Sequence, residues 1–220
     1  MDSKMNAYPE APDAWFNQRI KNDGGIFDRA SFDLMMQPVK NHRVAVDVGA
    51  HCGSWTVALS ERFEKVHAFE PFEKNFKYLH KNAGHLQNVT LYRAALGCAN
   101  FYASMVDGRE NSGQSHITGV FDSPSLDASV SVSPLDDYGL TRVDLLKIDA
   151  EGYELPVLQG ARDTILKCSP VILVELNGLA ARYGLTDEGV KSYLSGLGYV
   201  LFGSQNKDHV YVKNWGLRPV

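Results

Sequence analysis

From Arg43 onward, apolar runs of strand length alternate with amphipathic stretches, and that alternation leaves few architectures open to the chain. VAVDV (Val44–Val48) is followed by SWTVALSERF (54–63), which reads as a helix with Ser54 as a candidate N-cap. KVHAF (Lys65–Phe69) precedes a helical stretch from Glu73 to Asn82, with Pro71 in or before its first turn. A third strand is predicted from Val89 to Ala94 and a fourth from Val143 to Ile148. A helix over 154–167 follows, then a fifth strand from Val171 to Leu176 and a helix over 187–197. Repeated strand–helix units of this kind build a doubly wound α/β fold on a mainly parallel sheet. The last two runs, Tyr199–Phe202 and His209–Val212, are separated only by the polar turn GSQNKD, which predicts an antiparallel hairpin.

Two regions break the pattern. Between Gly97 and Gly139 the helical signal fades, and strands are predicted at Phe101–Val106 and over 128–132. The polar segment joining them, DGRENSGQSHITGVFDSPS, is expected to be a mobile loop, so this region reads as an inserted β-hairpin and loop. Residues 1–40 carry irregularly spaced apolar side chains and the turn Asp23-Gly24-Gly25. They predict one or two short helices covering the domain edge rather than an independent unit.

A length of 220 residues suits one domain with a full core. The net charge of -4 and the lack of a Lys/Arg block argue against nucleic acid as a partner. Cys52, Cys98 and Cys168 are widely spaced and odd in number, which predicts free thiols in a reducing compartment. Without a signal-like apolar stretch or about 18 consecutive apolar residues, the chain is expected to be cytoplasmic and to lack a membrane span. Trp15, Trp55 and Trp215 read as packing anchors, with Trp15 also placed to stack on a sugar-like ligand.

The ends of the strands concentrate the polar chemistry. In VAVDVGAHCG the first strand meets its helix, the place where doubly wound sheets bind ligands. Gly49 and Gly53 allow a tight turn and close approach of a ligand, Asp47 is expected to reach the crevice, and His51 is open to binding or to filling the turn. Glu70 ends the second strand, where a carboxylate accepts hydrogen bonds from a ribose diol. Together these predict a nucleoside-containing cofactor. Asp149, Glu151 and Glu154 follow strand four, and Glu175 and Asn177 end strand five. Glu154 reads as a first-turn acid favoured by the helix dipole. His116 lies in the polar loop, where solvent exposure and contact with an acceptor are both open.

The blocks VAVDVGAHCG, VHAFEPFEKNFKYLHKN, NVTLYRAALG, SVSVSPLDDYG, VDLLKIDAEGYELPVLQGA and VILVELN resemble, in order, the FkbM-type methyltransferases, a class I family dependent on S-adenosylmethionine. The resemblance implies a seven-stranded sheet with an antiparallel last strand. Residues 41–220 are expected to form the cofactor-binding domain, with 1–40, which the resemblance does not match, as a helical cap. The resemblance places S-adenosylmethionine against Asp47, Gly49, His51 and Gly53, with Glu70 on the ribose, Ala94 and Ala95 near the adenine, and Asp149 near the methionine part. Acceptor choice would lie in residues 1–40 and in the loop 107–125. The implied reaction is O-methylation of a hydroxyl on a sugar, glycan or other small metabolite. Asp149 and Glu151 are the candidate bases. A Mg²⁺ ion on Asp149, Glu175 and Asn177 is a second way to acidify the hydroxyl. An NAD- or nucleotide-sugar-binding oxidoreductase would share Glu70 but should show a phosphate-binding glycine pattern that VDVGAHCG lacks. A protein that binds the cofactor without turnover is the other alternative.

Overall fold

The computed structural model describes residues 8–107, 112–121 and 130–214. Its framework is a seven-stranded sheet made from β1 (Val44–Val48), β2 (Lys65–Phe69), β3 (Val89–Tyr92), β8 (Val143–Ile148), β9 (Val171–Glu175), β10 (Tyr199–Gln205) and β11 (Asp208–Lys213). The order is β10-β11-β9-β8-β1-β2-β3. Every pair is parallel except those made by β11, which runs antiparallel to both neighbours. The sheet therefore has the predicted doubly wound form with an antiparallel last strand. β1 and β8 sit side by side where the winding reverses, so their carboxyl ends frame the crevice that such sheets use for ligands.

The strands read as continuous apolar runs because both faces are covered. On one face Val46, Leu146, Ile148, Ile172 and Val174 pack under α5 (Glu154–Gly160), α6 (Arg162–Cys168) and α7 (Asp187–Gly196). On the other, Ala45, Val66, Leu145, Leu173 and Val210 meet α3 (Ser54–Ser60) and α2 (Arg29–Met36). α4 (Glu73–Ala83) covers β2 and β3 through Leu79 and Ala83. The role of α2 exceeds the predicted edge cover. β10 and β11 are joined by a hairpin, so no crossover helix covers that face of β9, β11 and β10; Phe32 and Met35 of α2, both fully buried, do so instead.

α1 (Ala14–Asn22) is capped by Asp13, whose carboxylate accepts from the Phe16 N–H at 2.8 Å. It lays Phe16 and Ile20 against Cys52. Ser54 is not the N-cap of α3. Gly53 holds that position at φ 84°, and the Ser54 hydroxyl accepts from the Phe27 N–H at 2.7 Å, tying the N-terminal segment to the domain. No helix among the described residues is long and apolar enough to cross a membrane.

The inserted region forms a second sheet of β4 (Ala95–Leu96), β5 (Phe101–Val106), β6 (His116–Phe121) and β7 (Val130–Ser133), in the order β4-β7-β5-β6. β6 lies inside the segment expected to be a mobile loop. Its ladder with β5 pairs Ser104 with Thr118, Met105 with Ile117 and Val106 with His116, so backbone pairing orders a sequence whose composition reads as loop. Residues 108–111 and 122–129, including the first part of the strand predicted over 128–132, and Trp215 lie outside the described residues.

The helix predicted over 154–167 is broken into α5 and α6 at Ala161. Beside the break the backbones pack closely: an added Cβ on Gly160 would lie 1.9 Å from the Gly97 carbonyl oxygen of the inserted region and 3.1 Å from Pro134 Cα. Gly160→Ala therefore is expected to lower the unfolding free energy by about 1–3 kcal/mol, although alanine is the better helix former. Denaturant titration measures it, and an unchanged or raised midpoint would contradict the close-packing account.

Candidate functional site

A cavity of about 320 Å³ opens at the carboxyl ends of the central strands, roofed by α1 on one side and by the segment 113–117 on the other. Its floor is set by two tight turns. In the first, Gly49 and Ala50 each donate to the Phe69 carbonyl at 3.0 Å, and Gly49, His51 and Gly53 all have left-handed φ values of 72°, 52° and 84°. The glycines make the predicted tight turn and also leave room for neighbouring protein atoms. A Cβ on Gly49 would fall 1.8 Å from the Asp149 carbonyl oxygen, and one on Gly53 would fall 2.7 Å from Leu79 Cδ1. Both make room for protein; Gly49 borders the cavity and Gly53 packs against α4.

The second turn runs from Asp149 to Gly152, with Glu151 at φ 53° and Gly152 at φ 102°. Glu154 holds it from inside, its Oε1 accepting from the N–H groups of Ala150 (3.1 Å) and Gly152 (2.9 Å). Burial pushes the Glu154 carboxyl up to about 7, against the pull of those hydrogen bonds.

Asp47 does not reach the crevice as expected. It is 0% exposed, its Oδ2 accepts from Thr56 Oγ1 at 2.6 Å, and its Oδ1 lies 3.0 Å from Lys147 Nζ. Lys147, in the otherwise apolar end of β8, lines the cavity instead. Its ammonium donates to the carbonyls of Val48 (3.1 Å) and Gly49 (2.7 Å) and stands 3.9 Å from Asp149 Oδ2. Burial alone would lower its pKa; Asp47 and Asp149 hold it raised. A lysine inside the apolar run VDLLKI was the available signal, since a buried ammonium needs partners.

Glu70 lines the cavity from the end of β2, as its position predicted. Its oxygens accept from the N–H groups of His51 (2.8 Å) and Phe72 (2.9 Å), while burial pushes it up to about 7. Ala94 and Ala95 also border the cavity, as do Trp15, 55% exposed, and His116. Cys52 is a free, buried thiol pushed by burial up to about 12, which suits a packing role.

Asp149, Glu151 and Glu175 bring one carboxylate oxygen each within 4.8 Å of one another. This replaces the predicted oxygen set, because the Asn177 carbonyl accepts from the Leu179 N–H (3.0 Å) and its amide donates to Glu175 Oε2 (2.6 Å). Burial, then the charge of Asp149, push Glu151 up to about 8 and Glu175 up to about 9. Glu151 Oε2 is buried and accepts no hydrogen bond among the described residues; Arg182 Nη1 approaches it to 3.7 Å.

A polar chain invisible in the sequence closes the roof. His51 Nε2 lies 2.7 Å from Ser112 Oγ, which donates to Asp13 Oδ2 at 2.6 Å. Because the hydroxyl hydrogen goes to Asp13, the imidazole must donate from Nε2. Burial, then the nearby Lys147 charge, lower the His51 pKa to about 4 against the opposing pull of Asp13, so the ring is neutral at ordinary pH. Asn75, 2% exposed, donates to the Ser112 carbonyl at 3.0 Å, and its own Oδ1 has no donor among the described residues. Ser112→Ala breaks the link from β1 to α1. Hydrogen exchange over 116–118 is expected to speed up about tenfold, read by mass spectrometry; unchanged exchange would show the link does not hold the roof.

The polar lining fits a nucleoside cofactor. An acid ends β2, and the buried Asn75 oxygen in the cavity wall lacks, among the described residues, a donor that an exocyclic amine would supply. The chain is similar in fold to the methyltransferase FkbM of Methylobacillus flagellatus KT, with 19% identity and a TM-score of 0.52. The match covers 78% of this chain and 43% of that one. It is similar to a ribosomal protein L11 methylase of Lactobacillus delbrueckii subsp. bulgaricus at 11% identity and a TM-score of 0.51, covering 84% and 77% of the two chains. A candidate methyltransferase of Streptococcus mutans, solved with S-adenosylhomocysteine, matches at 14% identity and a TM-score of 0.50, covering 83% and 94%. No curated protein matches the sequence. The family model described as the methyltransferase FkbM domain matches residues 47–201, so this chain belongs to the FkbM methyltransferase family.

Proposed function

We propose that the chain is an S-adenosylmethionine-dependent O-methyltransferase acting on a hydroxyl of a sugar, glycan or other small metabolite. The observation that carries this reading is the buried Glu151 Oε2, without a hydrogen-bond donor among the described residues, on a residue of the cavity wall beside Asp149 and Glu175. An acceptor hydroxyl is the donor that oxygen lacks, and a carboxylate near pKa 8 is a competent base close to neutral pH.

When bound, S-adenosylmethionine supplies an electrophilic methyl on a sulfonium sulfur. Glu70 would hold the ribose hydroxyls, Ala94 and Ala95 would flank the base, and the Asn75 oxygen would accept from the adenine amine. Asp149 would face the methionine end. Glu151 would take the proton of the acceptor hydroxyl, and burial together with the charge of Asp149 would keep that proton on it. Trp15 of α1 and His116 of β6 stand at the roof of the cavity, so the N-terminal helices and the inserted sheet would choose the acceptor. Nucleic acid is not the expected acceptor, given the net charge of -4.

Calorimetric titration should give saturable binding of S-adenosylmethionine and none of NAD. The working form of Glu151 is the deprotonated one, so turnover is expected to rise with pH through about 8. Glu151→Gln should lose about 10²–10⁴-fold in kcat and flatten that profile. A normal profile in the variant would move the base role to Asp149. A divalent cation on Asp149, Glu151 and Glu175 is a second reading, favoured by their close oxygens. Full activity after EDTA treatment would remove it.

A further inference from the structure

Lys147 poses a physical problem for the reading just given. S-adenosylmethionine carries a sulfonium, an ammonium and one carboxylate, for a net charge of about +1, and the cavity wall presents a buried ammonium to it. We infer that Asp47 and Lys147 form a neutralising pair that sets the preference of the site for the cationic cofactor over its uncharged thioether product. The inference rests on the proposed cofactor.

The geometry supports a pair that tunes charge as well as a staple. Asp47 has no surface on the cavity, so it acts on a ligand through its field and not by contact. Its Oδ1 stands 3.0 Å from the ammonium, while Thr56 Oγ1 holds the other oxygen at 2.6 Å and fixes the carboxylate towards Lys147. Asp149 lies 3.9 Å from the same ammonium and is 40% exposed. One lysine between two aspartates leaves the trio a single negative charge, which favours a cation. Remove the Asp47 charge and the trio becomes neutral, with the ammonium facing the ligand unopposed from behind. Asp47 is thus a positioning and charge-setting residue, not a catalytic one. A purely structural staple would affect both ligands alike, because the product has the same adenosine and amino-acid ends.

The test is calorimetric titration of the full chain with S-adenosylmethionine and with S-adenosylhomocysteine. Asp47→Asn should weaken the first ligand about tenfold more than the second, the size expected for one unit charge within about 12 Å at the effective dielectric of a protein. The double variant Asp47→Asn with Lys147→Met restores the charge of the trio and should return the affinity ratio to the wild-type value, even with both affinities reduced. Thr56→Val removes a hydrogen bond without changing charge and should lower Tm with the ratio unchanged. Equal losses for both ligands in Asp47→Asn, or a double variant whose ratio moves further from wild type, overturn the inference. Should Asp47→Asn not fold, Lys147→Met alone decides: it removes the positive charge of the trio and should raise the preference for S-adenosylmethionine about tenfold, and an unchanged ratio overturns the inference. A wild-type chain that binds neither ligand overturns the proposed function instead, before any variant is compared.

Discussion

The ammonium of Lys147 ties the carboxyl ends of β1 and β8 together, and the shape of the site follows from that tie. From one strand it reaches the carbonyl of Val48 at the end of the other and that of Gly49 in the turn beyond, and it draws Asp47 and Asp149 towards the same point. A buried charge of this kind is stable only with its acceptors around it. The missing side chain of Gly49 lets the Asp149 carbonyl come close enough for the two turns to share a wall. Displace the lysine and both turns lose their common reference.

On that floor the protein sets two kinds of acid. Glu70 and Glu154 are held by backbone N–H groups, so their oxygens shape the turns that carry them. Glu151 and Glu175 accept from no backbone N–H among the described residues, and burial, then the charge of Asp149, raises their pKa values. Proton-accepting capacity therefore gathers at one end of the cavity, while the other end stays suited to a neutral nucleoside. The roof is built separately, from α1 and the inserted sheet, which meet where Ser112 bridges His51 and Asp13.

The strands were legible because burial on both faces writes continuous apolar runs; β1, β2, β5 and β8 have the residue bounds their sequence predicts. The fifth strand stops one residue short of its predicted end and the hairpin strands run longer than predicted. Helix bounds were less legible. Gly160 looks like any helical glycine until Gly97 is packed against it, and Ser54 looks like a cap until Phe27 takes its hydroxyl. β6 was missed because edge pairing asks for backbone hydrogen bonds rather than apolar side chains, so a polar segment qualifies. In the site, strand-end acids were identified by position, but their partners were not. Asp47 turned inward to a lysine 100 residues away in sequence, and Asn177 gave its oxygen to its own turn.

By itself the sequence determined the doubly wound sheet, the strand ends where polar residues gather, and the family to which the chain belongs. Those properties depend on local periodicity and on motifs contiguous in the chain. Only the tertiary structure decided which acid meets the cavity, which one neutralises Lys147, and how Asp13, His51 and Ser112 join. These are contacts between residues far apart in sequence, and their strength depends on burial and distance, which no spacing along the chain encodes.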